Sequence, residues 1–123
     1  MAIVAAALVG CQTSEEALKE AGAKQLTYAE LTKIYSVPRT VAWSRADGAA
    51  SGTSVFQPNG TATVSWERQS DTGTWRIVGY TFCEKWIGAL RGAENCYSVY
   101  KLKYGSFMTI NDDGNVFTTF SFK

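Results

Sequence analysis

The sequence predicts a mainly β fold: a small antiparallel meander barrel of about eight strands with a short N-terminal helix. Three observations predict it. From Arg39 to the C-terminus, short runs rich in Val, Thr, Phe, Tyr and Trp recur at a spacing of roughly ten residues. Turn chemistry separates them, as in Pro58-Asn59-Gly60 and Asp112-Asp113-Gly114. Almost no helical pattern lies between the runs, and parallel strands would need long crossovers. Such a pattern makes a small barrel or a sandwich. Closure into a barrel is the expected form, because it removes edge strands that invite aggregation. At 123 residues, 46% hydrophobic and 19% charged, the chain suits one packed core and not a disordered ensemble.

The elements follow in chain order. Residues 1–10, MAIVAAALVG, form an uncharged apolar run. The run is shorter than the roughly 18 residues a membrane span needs. Its length suits the apolar region of an export signal. Leu8-Val9-Gly10-Cys11 resembles the lipobox of bacterial lipoproteins, although no Lys or Arg precedes the apolar run. The resemblance implies cleavage before Cys11 by a peptidase that needs small residues at the scissile bond, and a lipid on the Cys11 sulfur. A single acyl chain anchors only marginally, so a multiply acylated Cys11 is the expected membrane anchor. Gln12, rather than Asp, follows the cysteine. By the sorting rule of enteric lipoproteins, that implies the outer membrane, facing the periplasm or the surface. The alternative is a buried N-terminal strand or helix with a chance cysteine. The chain thus divides into a signal peptide (1–10), a tether (11–25) and one helix-plus-β-barrel domain (26–123).

Within the tether, residues 12–22 are polar and suit a linker or a short frayed helix starting near Ser14. Thr27 and Glu30 then form a capping-box pair, flanked by a Leu26/Leu31 hydrophobic staple. Leu31, Ile34 and Tyr35 give this helix one apolar face, and Pro38 ends it. The helix is expected to plug or cover one end of the barrel. Strands are expected over 40–44, 54–57, 61–67, 74–86 (bent or bulged near Gly79), 95–103, 106–110 and 116–122, with turns at 47–52 and at Asp71-Thr72-Gly73. In the last strand Val116, Thr118, Phe120 and Phe122 share one face, with Phe117 on the other.

Charge and residue usage exclude several functions. Lys plus Arg number 12 and Asp plus Glu 11, for a net charge of +1 with no basic block, so nucleic acid is not an expected partner. Histidine is absent, which removes Ser-His-Asp and Cys-His catalysis and histidine metal sites. Neither a cofactor nor a metal is expected. Of the 3 cysteines, Cys11 is assigned to lipid. Cys83 and Cys96 then remain as an even pair for a disulfide in an oxidising compartment, with buried free thiols or a redox pair as alternatives.

Phe56 to Thr61 (F-x-P-N-G-T), Asp71 to Arg76 (D-T-G-T-W-R), Cys83 with Trp86, Cys96 to Tyr100 (C-Y-x-V-Y) and Asp112 to Asn115 (D-D-G-N) together form a pattern. It resembles a family of small alphaproteobacterial secreted proteins and lipoproteins of unknown function. That resemblance spans residues 24–123 and implies a compact β-domain with one disulfide and no assigned enzymatic activity. Gly73-Thr74-Trp75 also resembles the G-x-W start of lipocalin-like barrels, which the periplasmic inhibitors of serralysin-type proteases share. Here the G-x-W lies mid-chain instead of on the first strand.

Aromatic residues make up 13% of the chain, with Trp43, Trp66, Trp75 and Trp86 among them. They suit a packed barrel core, a lined pocket or a partner surface. Trp75, Tyr80, Phe82, Trp86 and Arg91 are the candidate binding residues, with Tyr80, Phe82 and Trp86 on one face of a long strand. Glu84, Lys85, Arg91 and Glu94 suit a solvated ion-pair network better than a glycosidase-like carboxylate pair. Residues 111–115 (NDDGN) read as a hairpin turn, not a calcium loop. The expected function is a non-catalytic binding or protein-interaction module of the cell envelope. A lipocalin-like carrier of a small apolar ligand and a periplasmic protease inhibitor, using residues 12–22, are the alternatives.

Overall fold

A computed structural model describes residues 15–123. The expected signal peptide and the expected lipidation site, Cys11, lie outside the described residues. Two short helices, α1 (Glu15–Glu20) and α2 (Tyr28–Ile34), flank a two-residue strand, β1 (Lys24–Gln25). Eight strands follow: β2 (Arg39–Arg45), β3 (Ser51–Phe56), β4 (Thr61–Trp66), β5 (Gln69–Val78), β6 (Thr81–Trp86), β7 (Glu94–Lys101), β8 (Phe107–Ile110) and β9 (Val116–Phe122). Each pairs antiparallel with the next, and β9 pairs back onto β2, with Trp43 opposite Phe120. The result is a closed up-and-down barrel, the form that leaves no free edge.

The helix before the barrel forms for the reasons its sequence offers. Thr27 accepts from the Glu30 backbone N–H at 3.2 Å, and the Glu30 carboxylate accepts from the Thr27 N–H at 3.0 Å. Leu26 and Leu31 are both buried in the main core. Arg39 donates through Nε to the Ile34 carbonyl at 2.7 Å, tying the end of α2 to β2. Tyr35 then enters the barrel, with its ring 4.6 Å from Phe82, 5.4 Å from Trp75 and 5.7 Å from Phe56. This end, where the 57–60, 79–80 and 102–106 turns lie, is closed.

Of the linker or short helix expected near Ser14, the structure shows the helix, α1, and residues 15–25 lie against the barrel. Leu18 of α1 packs with Tyr100 and Ile110 on the outside of the barrel, β1 pairs with β7, and the Tyr100 hydroxyl donates to Glu15 at 2.6 Å. One apolar side chain per turn is enough to dock so short a helix, provided the sheet offers an apolar outer patch. Here Tyr100, Met108, Ile110 and Val116 supply one.

Two boundaries also differ from expectation. The turn after β4 is Glu67-Arg68, with Glu67 at φ 52°, and Asp71-Thr72-Gly73 lies inside β5. Gly73 is there for space: a Cβ at that position would collide with the Lys85 carbonyl and come within 2.8 Å of the Trp86 ring. Gly52, likewise, is a strand residue in contact range of Trp43 and Trp66, not part of a turn. In β9 the register shifts beside Thr109/Ile110. Phe117 and Thr118 both line the interior while Val116 packs outside, so the simple alternation expected of this strand breaks at a bulge.

Cys83 and Cys96 are register partners on β6 and β7 and are joined by a disulfide with Cα atoms 3.9 Å apart. On the same outer face an Arg76–Glu94 ion pair, bidentate at 2.8 Å, spans β6 from β5 to β7. Among the described residues, no helix is long and apolar enough to cross a membrane.

Candidate functional site

Inward-facing residues of the meander do not fill the barrel. Between the Tyr35 ring and the unplugged end lies a cavity of about 270 Å³. Its wall is built by the period-two alternation of the strands: Val41, Trp43 and Arg45 from β2, Ser54 and Phe56 from β3, Val64 and Trp66 from β4, Phe82, Glu84 and Trp86 from β6. Tyr97, Thr109, Phe117 and Phe120 complete it from the other side. An eight-stranded barrel is near the size at which its own side chains just fill it. Here Ala50, Ser54, Val64 and Ala89 stand where larger residues would close the gap.

The mouth is shaped by the β6–β7 connection. Ala89 and Leu90 line the cavity, and the loop carries two left-handed non-glycine residues, Leu90 at φ 53° and Arg91 at φ 61°. Such conformations cost free energy and persist where other contacts impose them. Asp71 holds the start of this loop. Its Oδ2 accepts from the Gly88 N–H at 2.9 Å and the Ala89 N–H at 2.8 Å. These backbone donors hold its carboxyl below the usual carboxylate range. The disulfide pins the strands from which the same loop springs.

Polar groups are few in the cavity and poorly matched. Trp43 Nε1 and Arg45 Nε are buried and have no hydrogen-bond partner among the described residues. The Arg45 Nη2 pairs with Asp47 at 2.8 Å, and its guanidinium lies 4.5 Å from the centre of the Phe117 ring. Phe117 in turn stacks on Tyr97 at 5.1 Å. Glu84 is the sole carboxylate of the wall among the described residues. Burial pushes its carboxyl up to about 7, opposed only by the Trp86 side chain. Burial likewise raises the Tyr35 and Tyr97 hydroxyls above their ordinary range, with the nearby Glu84 adding to it.

The candidate residues named from sequence are divided by this geometry. Phe82 and Trp86 line the cavity, each 5% exposed. Trp75 sits at the closed end, stacked on Phe82 and donating its indole N–H to the Gln57 carbonyl at 2.8 Å. Tyr80 is not with them. It lies in the β5–β6 turn, 60% exposed, because the chain reverses at Gly79-Tyr80 instead of running on as one strand. The expected common face of Tyr80, Phe82 and Trp86 is therefore not formed. Arg91 is exposed on the mouth loop. Glu84 and Glu94 point to opposite sides of the barrel wall, Glu94 being held by Arg76 outside. In the 111–115 turn, Asn111 Oδ1 accepts from the Asp113 and Asn115 N–H groups, as a hairpin turn requires.

Trp43, Arg45, Trp66, Tyr97 and Phe117 also line the site; of these, only Trp43 and Trp66 were weighed from sequence, among the tryptophans suited to a packed core or a lined pocket. Alternation along β2 and β4 was the signal available for three of them. The bulge at Phe117 had none. No protein-family model, no curated protein and no solved structure matches this chain.

Proposed function

We propose that the chain is a non-catalytic binding protein that holds a small, mostly apolar ligand in the open half of its barrel. The observation that carries this reading is the aromatic cavity of about 270 Å³ with two buried, unpartnered donors in its wall. An apolar cavity of about 150 Å³ already takes up benzene in water, so this one has room for a larger guest. Buried donors without partners are costly, and an acceptor atom on a ligand would satisfy them. Ligand sites commonly combine a concave apolar surface with a few polar groups of this kind. The ligand reading is preferred to a partner surface at Tyr80, Phe82 and Trp86 because two of those three rings face inward. It is preferred to protease inhibition because residues 15–25 are already engaged with the barrel.

The test is a calorimetric titration with 1-hexanol, a neutral six-carbon guest. Saturable one-to-one binding is expected in the unaltered protein and its loss in Val64→Phe, which fills the cavity. Undiminished binding to Val64→Phe would overturn the reading, as would failure of both 1-hexanol and its charged six-carbon analogues to bind.

The site is proposed to work at the cell envelope, with the protein held on the outer membrane by lipid at Cys11. Support comes from the Leu8-Val9-Gly10-Cys11 sequence and from a disulfide of the kind that oxidising compartments permit. Cys11→Ser is expected to move the protein from the membrane to the soluble fraction. Unchanged fractionation would refute the anchor.

A further inference from the structure

An ionisable carboxyl in an apolar cavity needs a reason. Glu84 has no ion pair among the described residues, and its only polar influence is the Trp86 side chain. The other charge in the wall, Arg45, is already matched by Asp47. The cavity therefore holds one uncompensated acidic group. The same cavity is lined by the rings of Tyr35, Trp66, Phe82, Trp86 and Tyr97. Aromatic faces carry negative potential and attract cations, most strongly where water is excluded. A carboxylate and a set of ring faces in one cavity act in the same sense.

We infer that the ligand of this cavity is a small organic amine: an apolar body that packs on the rings, carrying a protonated nitrogen that pairs with Glu84. The inference rests on the cavity-binding reading and names the ligand class for it. A hydroxyl or carbonyl oxygen on the same molecule would meet the Trp43 and Arg45 donors.

The pairing is linked to protons. Below neutral pH the free Glu84 carboxyl holds a proton, and seating the ammonium expels that proton to solvent. The groups facing Glu84 do not compete in this range. Tyr35 from the end of α2 and Tyr97 from β7 stay neutral, β5 presents Trp75 at the register position, and Arg45 on β2 is paired. Amine affinity should therefore rise with pH through about 7 and then level off.

The experiment compares hexylamine, 1-hexanol and hexanoate by calorimetry at about pH 8 and about pH 6, with unaltered protein and Glu84→Gln. At the higher pH the amine should bind at least about tenfold more tightly than the alcohol, and hexanoate most weakly. Glu84→Gln should erase the amine's advantage while keeping alcohol binding. In the unaltered protein, which needs no variant to fold, amine affinity should fall about tenfold at the lower pH. Proton release should appear there as a dependence of heat on the buffer. If the alcohol or the carboxylate binds as well as the amine, the amine assignment fails while the cavity reading stands. If Glu84→Gln keeps the amine's advantage, the role of Glu84 fails. If none of the three binds, both readings fall.

Discussion

The two ends of the barrel are built on opposite terms. At the closed end, polar groups and rings find partners. The Trp75 indole reaches the Gln57 carbonyl, Arg39 reaches the Ile34 carbonyl, and Tyr35 packs among Phe56, Phe82 and Phe122. At the open end, Trp43 and Arg45 carry unmatched donors and Leu90 and Arg91 sit in left-handed conformations, while midway along the wall, opposite Trp75, Glu84 is half-buried with no counter-ion among the described residues. Stability is concentrated where α2 plugs the barrel, and unmet interaction is concentrated where the barrel opens. A protein that merely packed its core would treat both ends alike. The asymmetry is what the proposed binding site would cost its scaffold.

Substitutions can break or sharpen that contrast. The largest effect should come from the closed end. Leu31 is wholly buried under the plug, so Leu31→Ala should lower unfolding free energy by about 3–5 kcal/mol in denaturant titration. A loss below about 1 kcal/mol would show that α2 is not structural.

Glu84→Gln should act in the other direction. Unfolded, the Glu84 carboxyl releases its proton near 4.5; folded, near 7. Between those values the folded state holds the extra proton, so this group's contribution to stability falls as pH rises and is flat above 7. The variant should match the parent below about pH 4.5 and exceed it above pH 7, by on the order of 3 kcal/mol at most. Parallel stability-versus-pH curves for the two proteins would show that folding does not raise the Glu84 carboxyl.

The smallest effect is also the most diagnostic. Trp43→Phe keeps a ring and deletes an unpaired buried donor, so it should stabilise the free protein by about 1 kcal/mol. The same change should weaken binding of a ligand that carries an acceptor oxygen. Loss of stability on this substitution would mean that the donor is already satisfied.

Legibility from sequence followed the same divide. The capping box at Thr27 and Glu30, the Leu26/Leu31 staple, the hairpin turns at Pro58-Asn59-Gly60 and Asp112-Asp113-Gly114 and the pairing of Cys83 with Cys96 were all readable. Each rests on neighbours within a few residues or on counting cysteines. Gly73 misled because glycine marks turns and also marks strand positions crossed by a bulky ring; only the Trp86 contact tells the two apart. Glu67-Arg68 turns the chain with neither Gly, Asn nor Pro, so nothing announced it.

By itself, then, the sequence determined the kinds of element, their antiparallel order and the helix that starts them, because hydrogen-bond capping, turn geometry and residue alternation act locally. Tertiary structure alone decided that Glu84 faces inward, that Phe117 bulges into the wall beside Thr118, and that Trp43 and Arg45 share a cavity with Trp86. Those facts depend on register and on closure of β9 against β2. Both are set by contacts between strands far apart in the chain, where shifting one residue turns every side chain to the opposite face.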